Sequence, residues 1–331
     1  MLKAIPYFSI LLMLPCLWIG KDRPLREFKI HGLAQGTTYS ISYFAEDSIV
    51  TKTHVDVLLA KIDSSMSLYK DYSTINKFNR SEKGWPLGAQ FTKVVKRAFD
   101  IYKDSGGLFD ITVGPLVQYW GFGAQPAQGD LEAIMPNIGM DLLAWDGNFL
   151  RKKKGAVQID VNGIAQGYSV DVVADELLKH GIQIFLVEIG GELRANGVKP
   201  DGKSWRVGIE GPSEHAFEEP VIQHVISVNS GAITTSGNYR KYLMKGGQKL
   251  SHLIDPKTGH PLTNEMVSVT VYAPDAITAD GYDNVLMAMH VQEALDFVEK
   301  RKGLAAYIIY KTPEGKLVDT LSTGFKKLMV N

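Results

Sequence analysis

Helical and strand-like segments do not alternate strictly along this chain, and this order constrains its fold more than any other feature of the sequence. Four regions have apolar residues at helical spacing, and the last is long enough for two successive helices: 53–66, 92–105, 170–180 and 275–302. Thr53 is the expected cap of the first helix. Strand-like runs occupy 38–44, 182–189, 205–209, 221–228, 268–272 and 305–310. Because a doubly wound parallel sheet needs regular alternation, we predict an α+β fold with largely antiparallel sheets and packed helices.

Length, charge and cysteine content exclude several classes of protein. The chain has 331 residues, enough for one large domain or two closely joined ones at roughly 100–200 residues each. Its 36 basic and 36 acidic residues cancel, which removes the positive field that nucleic-acid binding needs. One cysteine can form neither an internal disulfide nor a cysteine-rich metal site.

The first 20 residues have the pattern of an export signal. Lys3 precedes an uncharged run over residues 4–19, and charge returns at Lys21. The run is shorter than the roughly 20 apolar residues of a membrane-spanning helix. We therefore predict a leader over 1–20, with Cys16 as the lipidated residue of an exported bacterial lipoprotein on the periplasmic side of the inner membrane. The alternative is an uncleaved anchor with an inert cysteine.

A pair of oxygen-bearing side chains near the C-terminal end is a candidate cation site. Asp280 and Asn284 are four residues apart in a predicted helix, so both project from one face. Two such ligands and a carbonyl from elsewhere suit a hard cation such as Mg²⁺. Asp283 can replace either of them. On spacing alone, a solvated polar face or a helix cap explains the pattern better.

Three further segments have the composition of ligand-binding turns. The segment 159–168 leads through two glycines into the third helix, and Gly190-Gly191 follows an apolar strand; both allow close approach to an anionic group. The hydroxyl-rich run 234–239 can donate hydrogen bonds to phosphate or ribose, or form a hydrophilic turn. His252 precedes Asp255 by three residues and is a candidate proton shuttle. Each segment alone is also compatible with an ordinary turn or a structural role.

Taken in order, these segments resemble the ApbE family of FAD:protein FMN transferases, formerly called thiamine biosynthesis lipoproteins. The resemblance covers nearly all of the chain after the leader. The residues that carry it are GTTY at 36–39, MSLY at 66–69, INKFN at 75–79, FDITVGPL at 109–116, WGF at 120–122, the stretch 160–171, GGE at 190–192, TSGNY at 235–239, HLIDPKTG at 252–259 and AD at 279–280. The resemblance implies an ApbE-like, T-fold-related architecture and one catalytic unit over 21–331.

The resemblance also implies roles for individual residues. Mg²⁺ would be held by the Ala165 carbonyl, Asp280 and Asn284, and the catalytic residues would be His252 and Asp280. Residues expected to bind the flavin nucleotide are Tyr69, Asn76, Asn79, Asp110, Asp160, Gly163, Gly190, Gly191, Thr235 and Ser236. Two positions depart from the family pattern. Asn284 stands where threonine is usual, which puts the metal preference in doubt, and Gln166 stands where lysine is often found.

The implied reaction cleaves FAD with Mg²⁺, attaches FMN to a threonine or serine hydroxyl of an acceptor flavoprotein and releases AMP. By the same resemblance, the acceptor would be a subunit of a sodium-pumping NADH:quinone reductase, of an Rnf-type complex or another exported flavoprotein. Two other functions use the same pocket. An FAD diphosphatase would give the FMN phosphorus to water, and a non-catalytic lipoprotein would only bind FAD.

Overall fold

The computed structural model describes residues 23–123, 129–212, 221–239, 242–245 and 248–330. The predicted leader and Cys16 lie outside these residues, so lipidation stays a prediction. No helix in the described ranges is long and apolar enough to cross a membrane.

Nine α-helices occur in the described residues, and they run in chain order as α1 Lys52–Met66, α2 Thr74–Arg80, α3 Ala89–Asp104, α4 Gly114–Tyr119, α5 Leu131–Ile134, α6 Asn162–Lys179, α7 Ala276–Met287, α8 Val291–Glu299 and α9 Thr323–Lys326. Short 3₁₀ turns form at Ile111–Val113, Met135–Asn137 and Met140–Leu142. The four predicted helical regions are confirmed, and the last contains α7 and α8. The first helix is capped by the Thr51 side chain, so the predicted cap at Thr53 is wrong.

The same residues contain fifteen strands: β1 Arg26–Ala34, β2 Thr37–Ala45, β3 Gly84–Pro86, β4 Leu143–Asp146, β5 Phe149–Lys152, β6 Ile184–Ile189, β7 Glu192–Asn196, β8 Trp205–Glu210, β9 Ile222–Val228, β10 Ser230–Gly237, β11 Tyr242–Lys245, β12 Gln248–Ser251, β13 Met266–Ala273, β14 Ala305–Lys311 and β15 Leu317–Leu321. All six predicted strands are present. Much of the run 234–239 belongs to β10, so its interpretation as a hydrophilic turn is wrong for that part.

One eight-stranded sheet organises the molecule, in the order β1-β2-β6-β7-β10-β13-β14-β15. Every pairing in it is antiparallel, which confirms the predicted α+β class. Smaller antiparallel sheets are formed by β3-β5-β4, β8-β9 and β11-β12.

A hydrophobic core lies on each face of the large sheet, and because side chains alternate along a strand, neighbouring residues belong to different cores. On β14, Ala306 and Ile308 join the core that the helices cover, whereas Tyr307 and Ile309 join a second core with Trp205 of β8. The helical face contains α3, whose Phe91, Val94, Val95, Ala98 and Ile101 form a buried stripe at helical spacing. The helices α6 and α7 pack together on this same core.

Candidate active site

Helix α7 carries Asp280, Asp283 and Asn284 on its buried side. The side chains of Asp280 and Asp283 are almost fully buried, at 4% and 2% exposed, so the alternative of a solvated polar face is wrong. The Asn284 amide donates to the Gly163 carbonyl of α6 at 3.2 Å and to the Asp280 carbonyl at 2.9 Å. These bonds leave the amide oxygen of Asn284 available as a ligand.

A glycine lets α6 and α7 approach closely enough to form this site. The Gly167 backbone N–H donates to Asp280 Oδ2 at 2.7 Å. A Cβ atom at position 167 would lie 2.3 Å from the Ala276 carbonyl oxygen and 2.7 Å from the Asp280 Cβ. Both Gly163 and Gly167 lie inside α6, which begins at Asn162. The sequence prediction that the glycines precede the helix is therefore wrong, and their function is close packing rather than a flexible turn.

The N-terminus of α7 is held by Asp171, which also forms an ion pair with Arg194; neither residue was predicted to belong to the site. Asp171 of α6 accepts hydrogen bonds from Ala276 N at 3.0 Å and from Ile277 N at 2.9 Å. Arg194 of β7 pairs with Asp171 at 2.9 Å and with Asp175 at 3.0 Å. The four-residue spacing of the two aspartates on α6 was the available signal, but nothing local identified their arginine partner.

Burial dominates the electrostatics of this site. It raises the pKa of Asp280 to about 7; the Gly167 N–H bond opposes the shift, and the neighbouring Asp171 charge adds to it. Burial also raises the pKa of Asp283 well above its usual value, and the charge of Asp280 raises it further. The Thr234 hydroxyl of β10 is buried without a well-formed hydrogen bond, but lies close enough to lower the pKa of Asp283. A bound cation would therefore stabilise the ionised forms of both carboxylates.

The predicted ligands are the Ala165 carbonyl of α6 and the side chains of Asp280, Asp283 and Asn284 of α7, and we call these four groups the α6–α7 oxygen cluster. Such a set of hard oxygen ligands fits Mg²⁺. The Ser169 hydroxyl donates to the Ala165 carbonyl at 2.9 Å, which uses one lone pair of that oxygen and leaves the other for a cation. No group of three or more His, Cys, Asp or Glu side chains in the described residues is arranged to hold a metal. A cation here would therefore depend on carbonyl and amide oxygens as well as carboxylates.

Comparison with known proteins identifies the family. The profile of the ApbE family matches residues 35–308, and this range contains the whole oxygen cluster. The chain belongs to the ApbE family.

Relatives and solved structures agree with this assignment over almost the full length. The chain is 36% identical to an FAD:protein FMN transferase of Vibrio cholerae, with 97% of each protein covered. It is 37% identical to the protein of that name from Haemophilus influenzae, with 93% of each covered. The solved structure of flavin transferase ApbE from Vibrio cholerae has a TM-score of 0.81, and the match covers 92% of this chain and 100% of that one. For the apo flavinyl transferase ApbE of Pseudomonas stutzeri the TM-score is 0.80 at 32% identity, covering 92% of this chain and 97% of that one.

The segment 159–163 joins several of the residues that the ApbE resemblance singled out. Asn79 binds both polar groups of Ile159: its Nδ2 donates to the carbonyl at 2.9 Å, and its Oδ1 accepts from the N–H at 2.8 Å. The Asp160 N–H donates to the Ile111 carbonyl at 2.7 Å. Asp110 accepts from the Thr112 N–H and hydroxyl, so it caps the 3₁₀ turn at that point. In this structure Asn79 and Asp110 position the backbone next to Asp160.

The side chain of Asn76 is hydrogen-bonded to the turn that contains Tyr69, whereas the Tyr69 ring is exposed. The Asn76 side-chain amide donates to the carbonyls of Leu68 at 3.1 Å and Lys70 at 3.0 Å. It therefore holds the turn on which Tyr69 lies. The Tyr69 side chain is 71% exposed, which is unusual for a large aromatic residue and leaves its ring face open to a ligand. The predicted contact of these two residues with flavin stays a prediction.

The glycine pair forms the tight turn between β6 and β7, with φ of 63° at Gly190 and 108° at Gly191. A Cβ at position 190 would overlap the Gln166 side chain, so glycine is required for two reasons. Gln166 donates to the Ile189 carbonyl at 2.9 Å and to Glu192. Gln166, at the position where the resemblance often has lysine, thus joins α6 to the glycine turn through one bond to a carbonyl and one to a carboxylate.

Of the other predicted site residues, Thr235 and Ser236 lie on β10, and His252 directly follows β12. The Thr235 hydroxyl on β10 contacts the Thr270 hydroxyl on β13 at 2.9 Å, and Ser236 is partly exposed beside it. The ring of His252 lies edge-on to Phe122, with 6.3 Å between centroids. Asp255 accepts from the Lys257 N–H at 2.8 Å and the Thr258 hydroxyl at 3.0 Å, so it stabilises its own turn.

The raised pKa of Asp280 predicts how stability changes with pH when no divalent cation is present. Between about pH 4 and pH 7 the folded state binds more protons than the unfolded state, because the pKa of Asp280 is about 7 when folded against 3.8 normally. The free energy of unfolding therefore falls as pH rises through this window. We expect the thermal midpoint in chelator to drop from pH 5 to pH 8, and Mg²⁺ to restore it at pH 8.

The Asp280→Asn variant is the control for this measurement. Its pH slope should be smaller than that of the wild type, and Mg²⁺ should stabilise it less. An unchanged slope and an unchanged response to Mg²⁺ would show that the carboxylate does not have the environment described here.

Proposed function

We propose that this chain transfers FMN from FAD to a threonine or serine hydroxyl of an acceptor flavoprotein and releases AMP. The observation that carries the proposal is the α6–α7 oxygen cluster, in which the buried Asp280 carboxylate accepts from the Gly167 N–H of α6 and a second buried carboxylate, Asp283, lies beside it. A diphosphate with its charge-compensating cation is the kind of ligand that such a site accommodates. The relatives named FAD:protein FMN transferase support the same reaction.

We propose Mg²⁺ as the cation, held by the Ala165 carbonyl, Asp280 and Asn284, with Asp283 as an additional carboxylate. When bound, the ion would neutralise diphosphate oxygens and stabilise the charge that develops during phosphoryl transfer. The residues of the chain position it. Gly167 orients Asp280 through its N–H, and Asp171 fixes the start of α7.

The FAD substrate would extend from this cluster toward Tyr69. We propose that Tyr69 stacks on the isoalloxazine ring, while the Asn76 and Asn79 bonds keep the surrounding backbone in place. We propose that the diphosphate lies near the first turn of α6, since helix N-termini favour anions. Asp160 Oδ1 already accepts from the Asn162 N–H of this turn at 2.8 Å, so the diphosphate would bind beside that carboxylate. Gly190, Gly191, Thr235 and Ser236 are proposed ribose and diphosphate contacts. Stacking acts equally on ground and transition states, so it sets affinity more than rate.

In the proposed chemical step, the acceptor hydroxyl oxygen bonds to the phosphorus of the FMN half of FAD. The bond from that phosphorus to the bridging oxygen breaks, and AMP leaves with that oxygen. His252 takes the proton of the attacking hydroxyl, because a threonine hydroxyl is a weak nucleophile at neutral pH.

Replacing His252 with alanine should lower the transfer rate at saturating FAD by about 10²–10⁴-fold, the usual contribution of a general base. The dissociation constant of FAD should change little. Rates are measured from the appearance of covalent flavin on the acceptor by in-gel fluorescence. His260→Ala is the matched control, because His260 lies in the same turn but packs against Trp120. Equal losses in the two variants would argue against a proton-transfer role for His252.

The two alternatives differ from transfer in their products. Incubation with FAD, Mg²⁺ and an acceptor should give labelled acceptor and AMP in equal amounts. Free FMN with AMP and no label would instead favour the diphosphatase. Tight FAD binding with no turnover under any of these conditions would favour a binding protein.

The acceptor and the cellular location are proposals from family resemblance and the leader pattern. We propose as acceptors the subunits of a sodium-pumping NADH:quinone reductase or an Rnf-type complex. We also propose an exported enzyme anchored through lipid on Cys16 at the periplasmic side of the inner membrane. The intact mass of membrane-extracted protein tests the anchor, and the absence of diacylglycerol on Cys16 would contradict it.

A further inference from the structure

Helix α7 has a second polar face, on the side opposite the oxygen cluster. Thr278 and Tyr282 are four residues apart and share one face, and Asp280 lies about 160° away around the helix axis. A cavity of about 360 Å³ opens on this face. It is lined by residues of α3, α7 and the segment after α8, and we call it the rear cavity. It is separate from the candidate active site, because the body of α7 lies between them.

Most of the charge in the rear cavity is positive. Arg97, Arg301 and Lys302 line it, against Asp104 and Asp275. Arg301 is neutralised by a two-pronged ion pair with Asp104, at 2.7 Å and 3.0 Å. The Tyr282 hydroxyl also donates to Asp104, at 2.7 Å. This ion pair forms one wall of the cavity, and its polar atoms bond to each other rather than to a ligand.

Arg97 and Lys302 are not neutralised in this way. Arg97 donates from Nη2 to the Thr278 hydroxyl at 2.8 Å, and its Nη1 forms a long ion pair of 4.0 Å with Asp100, beyond hydrogen-bond distance. Its charge also helps to lower the pKa of Asp104, whose hydrogen bonds come from Arg301 and Tyr282. Its Nε is buried without a hydrogen bond. Lys302 is exposed and forms no ion pair within the described part of the chain. Asp275 opposes these two cations, but it caps α7 by accepting from the Thr278 N–H at 3.0 Å.

When a hydrogen bond holds one terminal nitrogen of a guanidinium, the other terminal nitrogen still has two N–H groups to donate. Thr278 fixes the Arg97 side chain at Nη2, so Nη1 has a defined position and needs little reorganisation to bind an oxyanion. The Arg97 side chain is 31% exposed, so Nη1 is accessible to an anion that enters the rear cavity. A bound anion would accept charge-assisted hydrogen bonds from it, and the volume accommodates a phosphate group with a small organic substituent.

We propose that the rear cavity is a second binding site, in which Arg97 and Lys302 bind a small phosphate-bearing anion. Arg97 contributes directed hydrogen bonds and Lys302 contributes charge at the rim. This inference does not depend on the proposed flavin transfer, because none of these residues belongs to the candidate active site.

Inorganic phosphate is the first probe, titrated into the full chain by calorimetry with ionic strength held constant by sodium chloride. We expect saturable binding. Lys302→Gln should weaken it about fivefold, the size of one solvent-exposed charge interaction. Arg97→Gln should weaken it about 10- to 100-fold, because hydrogen bonds to a charged group are lost. Glycerol phosphate, titrated in parallel, distinguishes a monoester from free phosphate: tighter binding than that of phosphate would assign the monoester.

Lys96→Gln is the matched control. Lys96 precedes Arg97 on α3 but lies over the Trp145 ring, at 5.8 Å, outside the rear cavity. Its removal changes the net charge equally and should leave phosphate binding unchanged. Lys302 is exposed, so its substitution tests the site even where Arg97→Gln unfolds the protein. Absence of saturable binding, or an equal loss in Lys96→Gln and Lys302→Gln, would overturn the proposal. Phosphate bound at the flavin site would not respond to Lys302→Gln, and that result would overturn it as well.

Discussion

Replacing Asp280 with asparagine should reduce FMN transfer by at least about 10³-fold, corresponding to roughly 4 kcal/mol of transition-state stabilisation. The substitution keeps the shape of the side chain and an acceptor for the Gly167 N–H, which now lies 2.7 Å from Asp280 Oδ2. It removes the charge that would attract the proposed Mg²⁺ to the oxygen cluster. The loss should therefore appear as a failure to bind Mg²⁺ productively rather than as misfolding.

The stability of the Asp280→Asn variant distinguishes these two explanations. An ionised Asp280 is buried near Asp171, and burial raises its pKa to about 7, so the charge is unfavourable in the absence of a cation. We expect the metal-free variant to be at least as stable as the wild type at pH 8 in chemical denaturation. Asp296→Asn, at an exposed position on α8, is the control and should retain full activity. Full activity of Asp280→Asn would contradict the assignment of this residue.

Replacing Gly167 with alanine should destabilise the fold by at least about 2 kcal/mol, even though alanine is the better helix former by about 1 kcal/mol. The added Cβ would lie 2.3 Å from the Ala276 carbonyl oxygen and 2.7 Å from its carbonyl carbon. These are backbone atoms that no rotamer change can move aside. To make room, α6 and α7 must separate, and the bond from Gly167 to Asp280 must lengthen.

Gly155→Ala is the matched control for this prediction. A Cβ there would meet Glu82 atoms at 3.4–3.5 Å, which is ordinary van der Waals contact. Its free energy of unfolding should stay within about 0.5 kcal/mol of the wild type. We also expect Gly167→Ala to bind Mg²⁺ more weakly at temperatures where it remains folded. Wild-type stability of Gly167→Ala in denaturant titrations would show that the two helices are not packed as described.

The sequence predicts the framework of the site because its signals are local. The four-residue spacing of Asp280 and Asn284 places both on one face of a helix, and α7 confirms it. The burial of that face was not predictable from α7 alone. It depends on close contact with α6 at Gly167, a residue 113 positions earlier in the chain. From the sequence of one helix, a polar face is predicted to be exposed to solvent, because the element that covers it is not known.

Errors in individual elements have similar causes. Residues 234–237 are polar and end in glycine, yet they form part of β10 because β13 pairs with them, whereas β7 pairs only with residues 230–233 of the same strand. The residue that precedes α6 is Val161, which cannot cap a helix, and the Asn162 N–H is instead bonded by the Asp160 carboxylate one residue earlier, so the usual start signal is displaced. At α1, two threonines are possible caps, and the capping box closes through His54 on Thr51 rather than through the usual Glu or Gln.

Intact mass spectrometry of an acceptor protein tests the central claim most directly. The acceptor is incubated with the chain, FAD and Mg²⁺, in parallel with a version whose target threonine is replaced by valine. We predict that the acceptor gains the mass of one FMN less one water, that one AMP is released for each label, and that the valine version gains nothing. Consumption of FAD to free FMN and AMP, with both acceptor masses unchanged, would contradict transfer.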